Sequence, residues 1–182
     1  AAGGGLACGW RLARRHGVED LLPALDVGAA ALRAHPMGDA ARLGVEFFFK
    51  PHRGVGYFNL EMNAGGTFLL YYVRNHKRGD KGFADYSVLT PQEGELVQVK
   101  TNMPRIIDPE ITTPVTWCAQ FSIPMNLLEN YTGALGNFNG VTWHANFYKC
   151  ADKTSHPHWI TWNPISATNY HLPECFGTLH LV

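Results

Sequence analysis

The sequence has no excess of either charge: fifteen basic and fifteen acidic residues balance over 182 positions, and only 16% of residues are charged. That excludes the electrostatic footprint that nucleic acid or an anionic membrane surface requires. No apolar run approaches the roughly 18 residues that span a bilayer, so no membrane insertion is expected. The four cysteines, Cys8, Cys118, Cys150 and Cys175, contain no CxxC pair, which removes a zinc ribbon and a thioredoxin-like centre. There is no HExxH helix, no Gly-x-Ser-x-Gly elbow and no phosphate-cradling glycine loop. Glu46, Glu61, Asp85, Glu110, Asp152 and Glu174 are scattered, and none pairs with another in the way glycoside hydrolysis demands. No catalytic residues are therefore expected. Ala1 to Ala7 is small and Gly-rich rather than charged and then apolar, so no signal peptide is visible and the compartment stays open.

Aromatic residues are plentiful, and their placement is uneven. All but Trp10 of the five Trp, seven Tyr and ten Phe lie beyond residue 43. This seam divides the chain into an atypical Ala/Gly/Arg-rich leader, 1–43, and a β-rich domain, 44–182. Leu21-Leu22 and Ala29-Ala30-Ala31-Leu32 favour helix locally, interrupted by Pro23 and Pro36. The poor amphipathic period predicts an irregular, poorly ordered leader, with a docked helical segment as the other reading.

From Gly44 the pattern turns to strand. Val45–Phe49, Val55–Met62 and Thr67–Val73 are apolar runs bounded by turn residues, and Asn63-Ala64-Gly65-Gly66 predicts a hairpin. Asn75–Lys81 reads as a charged loop. Leu96–Lys100 and Val115–Ile123 alternate, and Pro124–Tyr131 predicts one short helix with proline at its first position. Val141–Tyr148 is the cleanest alternation. It puts Val141, Trp143, Ala145 and Phe147 on one face and Thr142, His144, Asn146 and Tyr148 on the other. Seven or eight short strands imply an all-β antiparallel sandwich or open barrel.

The candidate site lies in the last third. Trp143, Trp159 and Trp162 fall within twenty residues, beside Asn and His, on segments broken by Pro and Gly. Aromatic faces next to amides suit a pyranose ring, which shows apolar C–H patches on its faces and hydroxyls at its edge. Trp143 reads as core. Trp162, Tyr170 and Trp159 are the candidate stacking residues, with Asn163, Asn146, Tyr148 and Glu46 as polar partners. His156 and His158 flank Pro157 without a carboxylate motif, so they read as loop histidines and no metal ligands are assigned. Cys150 and Cys175 sit at the ends of two strands, and a disulfide between them is conceivable.

Thr116–Val182 also resembles the family 9-like carbohydrate-binding modules. The resemblance rests on Phe121-Ser122-Ile123-Pro124, Glu129-Asn130-Tyr131-Thr132-Gly133, Trp143 with Ala145–Cys150, His158-Trp159, Trp162, and the ending Pro173–Leu179. Val45–Phe48 and Tyr57–Glu61 fit the earlier strands of such modules. The resemblance implies a jelly-roll or DOMON-like antiparallel β-sandwich that binds oligo- or polysaccharide of the xylan or glucan type. It further implies association with a glycoside hydrolase, polysaccharide catabolism, an extracellular or periplasmic location and, in some members, structural calcium. Two positions depart from the pattern. Ala40 stands where a Trp is expected, and Glu61 stands roughly where an arginine would meet the sugar. Two other functions stay open: a glycoside hydrolase or accessory hydrolase, and a structural or partner-binding sandwich with every tryptophan in its core.

Overall fold

In a computed structural model, the described residues are 11–13, 24–34, 44–79, 82–111, 113, 115–137, 139–152 and 154–181, with only the backbone described for the first two stretches. Eleven strands are present among them: β1 (Arg11–Ala13), β2 (Ala24–Ala34), β3 (Gly44–Lys50), β4 (Tyr57–Asn63), β5 (Phe68–Gly79), β6 (Gly82–Val88), β7 (Gln98–Thr101), β8 (Val115–Pro124), β9 (Thr142–Ala151), β10 (His158–Thr161) and β11 (Gly177–His180). Two helices, α1 (Pro91–Gly94) and α2 (Met125–Thr132), flank β7 and β8. The strands form a four-stranded sheet, β1-β2-β8-β7, and a seven-stranded sheet, β10-β9-β3-β4-β5-β6, with β11 also paired to β9. Every pairing is antiparallel.

The alternation in β9 and β3 decides which face is inside. Val45, Phe47 and Phe49 on β3 and Trp143, Ala145 and Phe147 on β9 are buried in one cluster with Trp117, Phe121 and Ile123 of β8. Phe47 bridges the sheets, its ring 5.7 Å from that of Phe121, and stacks on Phe147 at 4.5 Å. Trp143 is fully buried, as its place in the alternation predicts. The opposite face of the large sheet carries a second, smaller cluster, built on Phe48, Tyr57, Val73, Tyr148 and Phe176. A sheet apolar on both faces needs cover on both.

That second cover comes from an excursion. The edge of β9 opposite β3 is shared: β10 pairs with Tyr148–Ala151 and β11 with Thr142–Ala145. The residues between them, 162–176, leave the edge and lie over the outer face, where Ile165, Tyr170 and Phe176 join the second cluster.

Several sequence expectations change here. Ala29–Leu32 is strand rather than helix, since Ala30–Ala34 pairs residue by residue with Val115–Ala119 of β8. Pairing along a neighbouring strand overrides a weak local helix preference. Asn75–Gly79 is not a loop but the end of β5, paired with β6. There, Arg74 donates to Asp85 at 2.7 Å and Arg78 lies over the ring of Phe83 at 4.1 Å, so charged side chains hold an exposed strand pair. Pro124 occupies the N-cap of α2 rather than its first turn. The Asn63–Gly66 turn forms as expected, with Gly66 at a φ of 86°, where a residue without Cβ is favoured. Cys150 and Cys175 are free thiols, so the conceivable disulfide is absent.

Candidate functional site

The site is assembled where the excursion leaves and crosses the outer face. Its start is fixed by Asn146, a fully buried amide on β9. Its Oδ1 accepts from the backbone N–H groups of Asn163 (2.8 Å) and Phe147 (3.0 Å), and its Nδ2 donates to Asn163 O at 3.0 Å. The Nδ2 of Asn163 in turn donates to Cys175 O at 2.8 Å, closing the far end of the excursion. Thr161 Oγ1 also donates to Asn163 O. Both asparagines are thus consumed by structure, which is how a buried amide escapes its desolvation cost.

The middle of the excursion rests on Tyr148. The rings of Tyr148 and Tyr170 stack 4.1 Å apart at 12°. Burial pushes both phenols well above their ordinary range. Further along, His171 Nδ1 pairs with Tyr57 Oη at 2.8 Å, its ring against Phe48 and Phe83. Burial, then Arg78 and His76, lower the His171 imidazole to about 4.

Between β10 and the excursion opens a groove of about 640 Å³, lined by Cys150, Trp159, Thr161, Ile165, Asn169 and Tyr170 among others. Such a volume is in the range of ligand clefts. Trp159 is 56% exposed, a large indole face left to solvent at its rim. Trp162 is 48% exposed but does not line this groove. Its ring stands edge-on to Phe147 at 5.6 Å, against the backbone of Gly177.

A second cavity of about 400 Å³ adjoins the first through Cys150, which lines both. It holds Glu46, Glu61 and Asp152 with Asn63 and Phe68. The register explains the continuity. Trp159 stands opposite Cys150, Cys150 opposite Gly44 and Gly44 opposite Asn63, a row crossing four strands. At the usual strand spacing that row is about 14 Å long. In the next row Glu46 lies between Tyr148 and Glu61. Burial, then Glu61 and Asp152, push the Glu46 carboxyl up to about 8.

The histidine pair His156 and His158 belongs to the turn entering β10. His156 Nδ1 meets Ser155 Oγ at 2.9 Å, and His158 Nδ1 donates to the carbonyl of His156 at 2.7 Å. The buried ammonium of Lys149 meets His158 Nε2 and is lowered to about 8 by burial. Among the described residues no group of three or more His, Cys, Asp or Glu side chains could hold a metal ion, so the calcium implied by the resemblance has no such ligand set there.

Of the candidates read from sequence, Tyr170 and Trp159 meet in the first groove and Glu46 lies in the second cavity. Asn146 and Tyr148 are buried behind them, Asn163 is spent on the turn, and Trp162 stands off to the side. Cys150 and Asp152 went unread as site residues. The visible signal for Cys150 was its place on the Asn146 and Tyr148 face of the alternating strand.

The chain belongs to carbohydrate-binding family 9, whose model matches residues 33–181. Its fold is similar to a crystal structure of a candidate carbohydrate-binding protein from Bacteroides uniformis ATCC 8492. The TM-score is 0.66 at 28% identity, over 88% of this chain and 72% of the other. No curated protein matches the sequence closely enough to count as a relative. Carbohydrate is the ligand class these similarities support.

Proposed function

We propose that the protein is a non-catalytic module that binds an oligo- or polysaccharide of the xylan or glucan type in the groove between β10 and the excursion. The observation that carries this is the pairing of Trp159 and Tyr170 along a single groove of about 640 Å³. A pyranose ring laid there has an indole and a phenol for its C–H faces, and Thr161 and Asn169 for its hydroxyls. The tyrosine plane is held from behind by Tyr148, so its orientation is set before ligand arrives, which reduces the ordering cost of binding. Membership of a carbohydrate-binding family supports the ligand class. Attachment to, or action beside, a polysaccharide-degrading enzyme outside the cell is the context proposed for it. Affinity electrophoresis on xylan, cellulose and other glucans tests the reading. Retardation on one or more is expected, and a folded protein that migrates freely on all of them overturns it.

One observation favours a second reading, a glycoside hydrolase. Glu46 and Glu61 stand directly opposite on β3 and β4, and burial, then Glu61 and Asp152, push the Glu46 carboxyl up to about 8. A carboxyl raised by its surroundings beside a second carboxyl is an arrangement that glycoside hydrolysis uses. Turnover of aryl-glycosides, lost in Glu46→Gln, would favour this reading over simple binding.

A further inference from the structure

The geometry points to the second cavity as a continuation of the sugar-binding groove that selects by charge: neutral and amine-bearing sugar rings enter it, and rings carrying carboxylate or sulfate are rejected. This rests on the carbohydrate-binding reading above and extends it to the class of glycan.

Four observations converge. First, the two cavities share Cys150, and the transverse row Trp159, Cys150, Gly44 and Asn63 runs between them without a large side chain at its centre. A chain longer than one ring, stacked on Trp159, is therefore led toward Glu46 and Glu61. Second, the residues lining the second cavity include three carboxylates, Glu46, Glu61 and Asp152. No Lys, Arg or His is present among the described residues that line either cavity. Third, Asn59 sits two residues from Glu61 on the same face of β4 and is 1% exposed. Its Nδ2 donates to Glu61 Oε1 at 3.0 Å, and its Oδ1 has no hydrogen-bond partner among the described residues. Asn59 thus holds the Glu61 carboxyl from beneath the cavity, whose ligand-facing acceptors are Glu46, Glu61 and Asp152; these suit hydroxyl and ammonium groups and oppose a further anion. Fourth, burial, then Glu61 and Asp152, raise the Glu46 carboxyl to about 8, the direction expected where further negative charge is disfavoured.

The three carboxylates do not make an ion cage, since no group of side chains among the described residues could hold a metal. Their effect is on the ligand. A like charge brought into a partly desolvated cavity costs affinity, and an interface gains specificity from such repulsion as much as from attraction. An added carboxylate on the sugar meets Glu61 and Asp152, with no Lys, Arg or His among the described lining residues to offset it. An amine on the sugar meets the same groups with the favourable sign.

The test uses one β-1,4-linked backbone in three charge states: cello-oligosaccharides, chitosan oligosaccharides, and cello-oligosaccharides oxidised to the 6-carboxylate, matched in length. A parallel set of neutral and glucuronate-bearing xylo-oligosaccharides covers a second backbone. Calorimetry is expected to show the amine form bound at least as well as the neutral form. The carboxylate form should be weaker by about tenfold or more. The neutral-to-carboxylate ratio should shrink in Asp152→Asn, in Glu61→Gln, and with added salt. Asp152 is exposed, so its variant tests the idea even where the Glu61 variant folds poorly. Equal affinity for neutral and carboxylate forms, or a ratio unmoved by Asp152→Asn, overturns the charge selection and leaves the carbohydrate-binding reading standing. Binding of none of these glycans removes both.

Discussion

Tyr148 and Tyr170 lie face to face, 4.1 Å apart and 12° from parallel, and each hydroxyl donates to a carbonyl beside the other ring. Tyr148 Oη reaches Tyr170 O at 3.0 Å, and Tyr170 Oη reaches Lys149 O at 3.3 Å. The pair ties the excursion to β9 and sets the plane of the Tyr170 ring in the groove.

Tyr170→Ala is accordingly expected to weaken glycan binding by about tenfold, since stacking contributes about 1 kcal/mol beyond the area buried. It should also lower stability by removing a ring from the second cluster. Tyr170→Phe keeps the stack and loses one hydrogen bond, a change of about 1 kcal/mol in stability. Its affinity should stay near that of the parent. Calorimetric titration and urea unfolding of both variants separate the two effects, and loss of binding in Tyr170→Phe would contradict them.

Trp159 and Trp162 should behave oppositely although both are about half exposed. Trp159 borders the groove, so Trp159→Ala reduces affinity with little loss of stability. Trp162 packs edge-on to Phe147 and over Gly177, so Trp162→Ala costs about 1–3 kcal/mol of stability while the groove keeps its lining. Addition of a bound glycan should shield Trp159 from acrylamide, and that shielding should vanish in the Trp159 variant.

Asn146 is a structural amide whose loss is severe. Removing its side chain orphans the backbone N–H of Asn163 and takes one of two donors from its carbonyl, which keeps Thr161 Oγ1. Asn146→Ala should cost about 1–3 kcal/mol, the range for a buried group left unpaired. Binding should fall in step with loosening of the 161–163 turn, which amide hydrogen exchange at Trp162 and Asn163 would register.

Two groups give opposite pH slopes. His171 is lowered from 6.5 to about 4 in the folded protein, so the unfolded chain holds more protons between those values. Its contribution is present above about 6.5 and is lost as pH falls toward 4. Glu46 is raised from 4.5 to about 8, so the folded protein holds the extra proton there. Its contribution is present below about 4.5 and is lost as pH rises through 8. Glu46→Gln should therefore flatten the decline on the alkaline side. His171→Phe should flatten the acid side, and thermal melts across pH 4 to 9 would show both.

Much of this was legible in the chain order. The alternation of Val141–Tyr148 assigns Trp143 and Phe147 to one face and Asn146 and Tyr148 to the other, and burial agrees for the indole and its neighbours. The runs at Val45–Phe49 and Val115–Ile123 likewise appear as strands. Where the reading failed, local propensity had spoken against a longer-range partner. Ala29–Leu32 looks helical in isolation and becomes strand because β8 offers a ladder of unpaired groups. Asn75–Gly79 looks like a loop because charge usually marks solvent, yet it pairs with β6, beside the Arg74–Asp85 ion pair and with Arg78 over the ring of Phe83.

The order of residues alone determined a two-sheet antiparallel body and which face of each strand is apolar, because a period of two is a property of the backbone. Only the folded arrangement decided which aromatic rings reach solvent together. Trp159 and Trp162 are three residues apart and chemically identical, yet Asn146 turns the chain between them and sends one to the groove and the other against Phe147. That choice depends on which residues meet across sheet and excursion, a matter of distance in space that spacing along the chain does not encode.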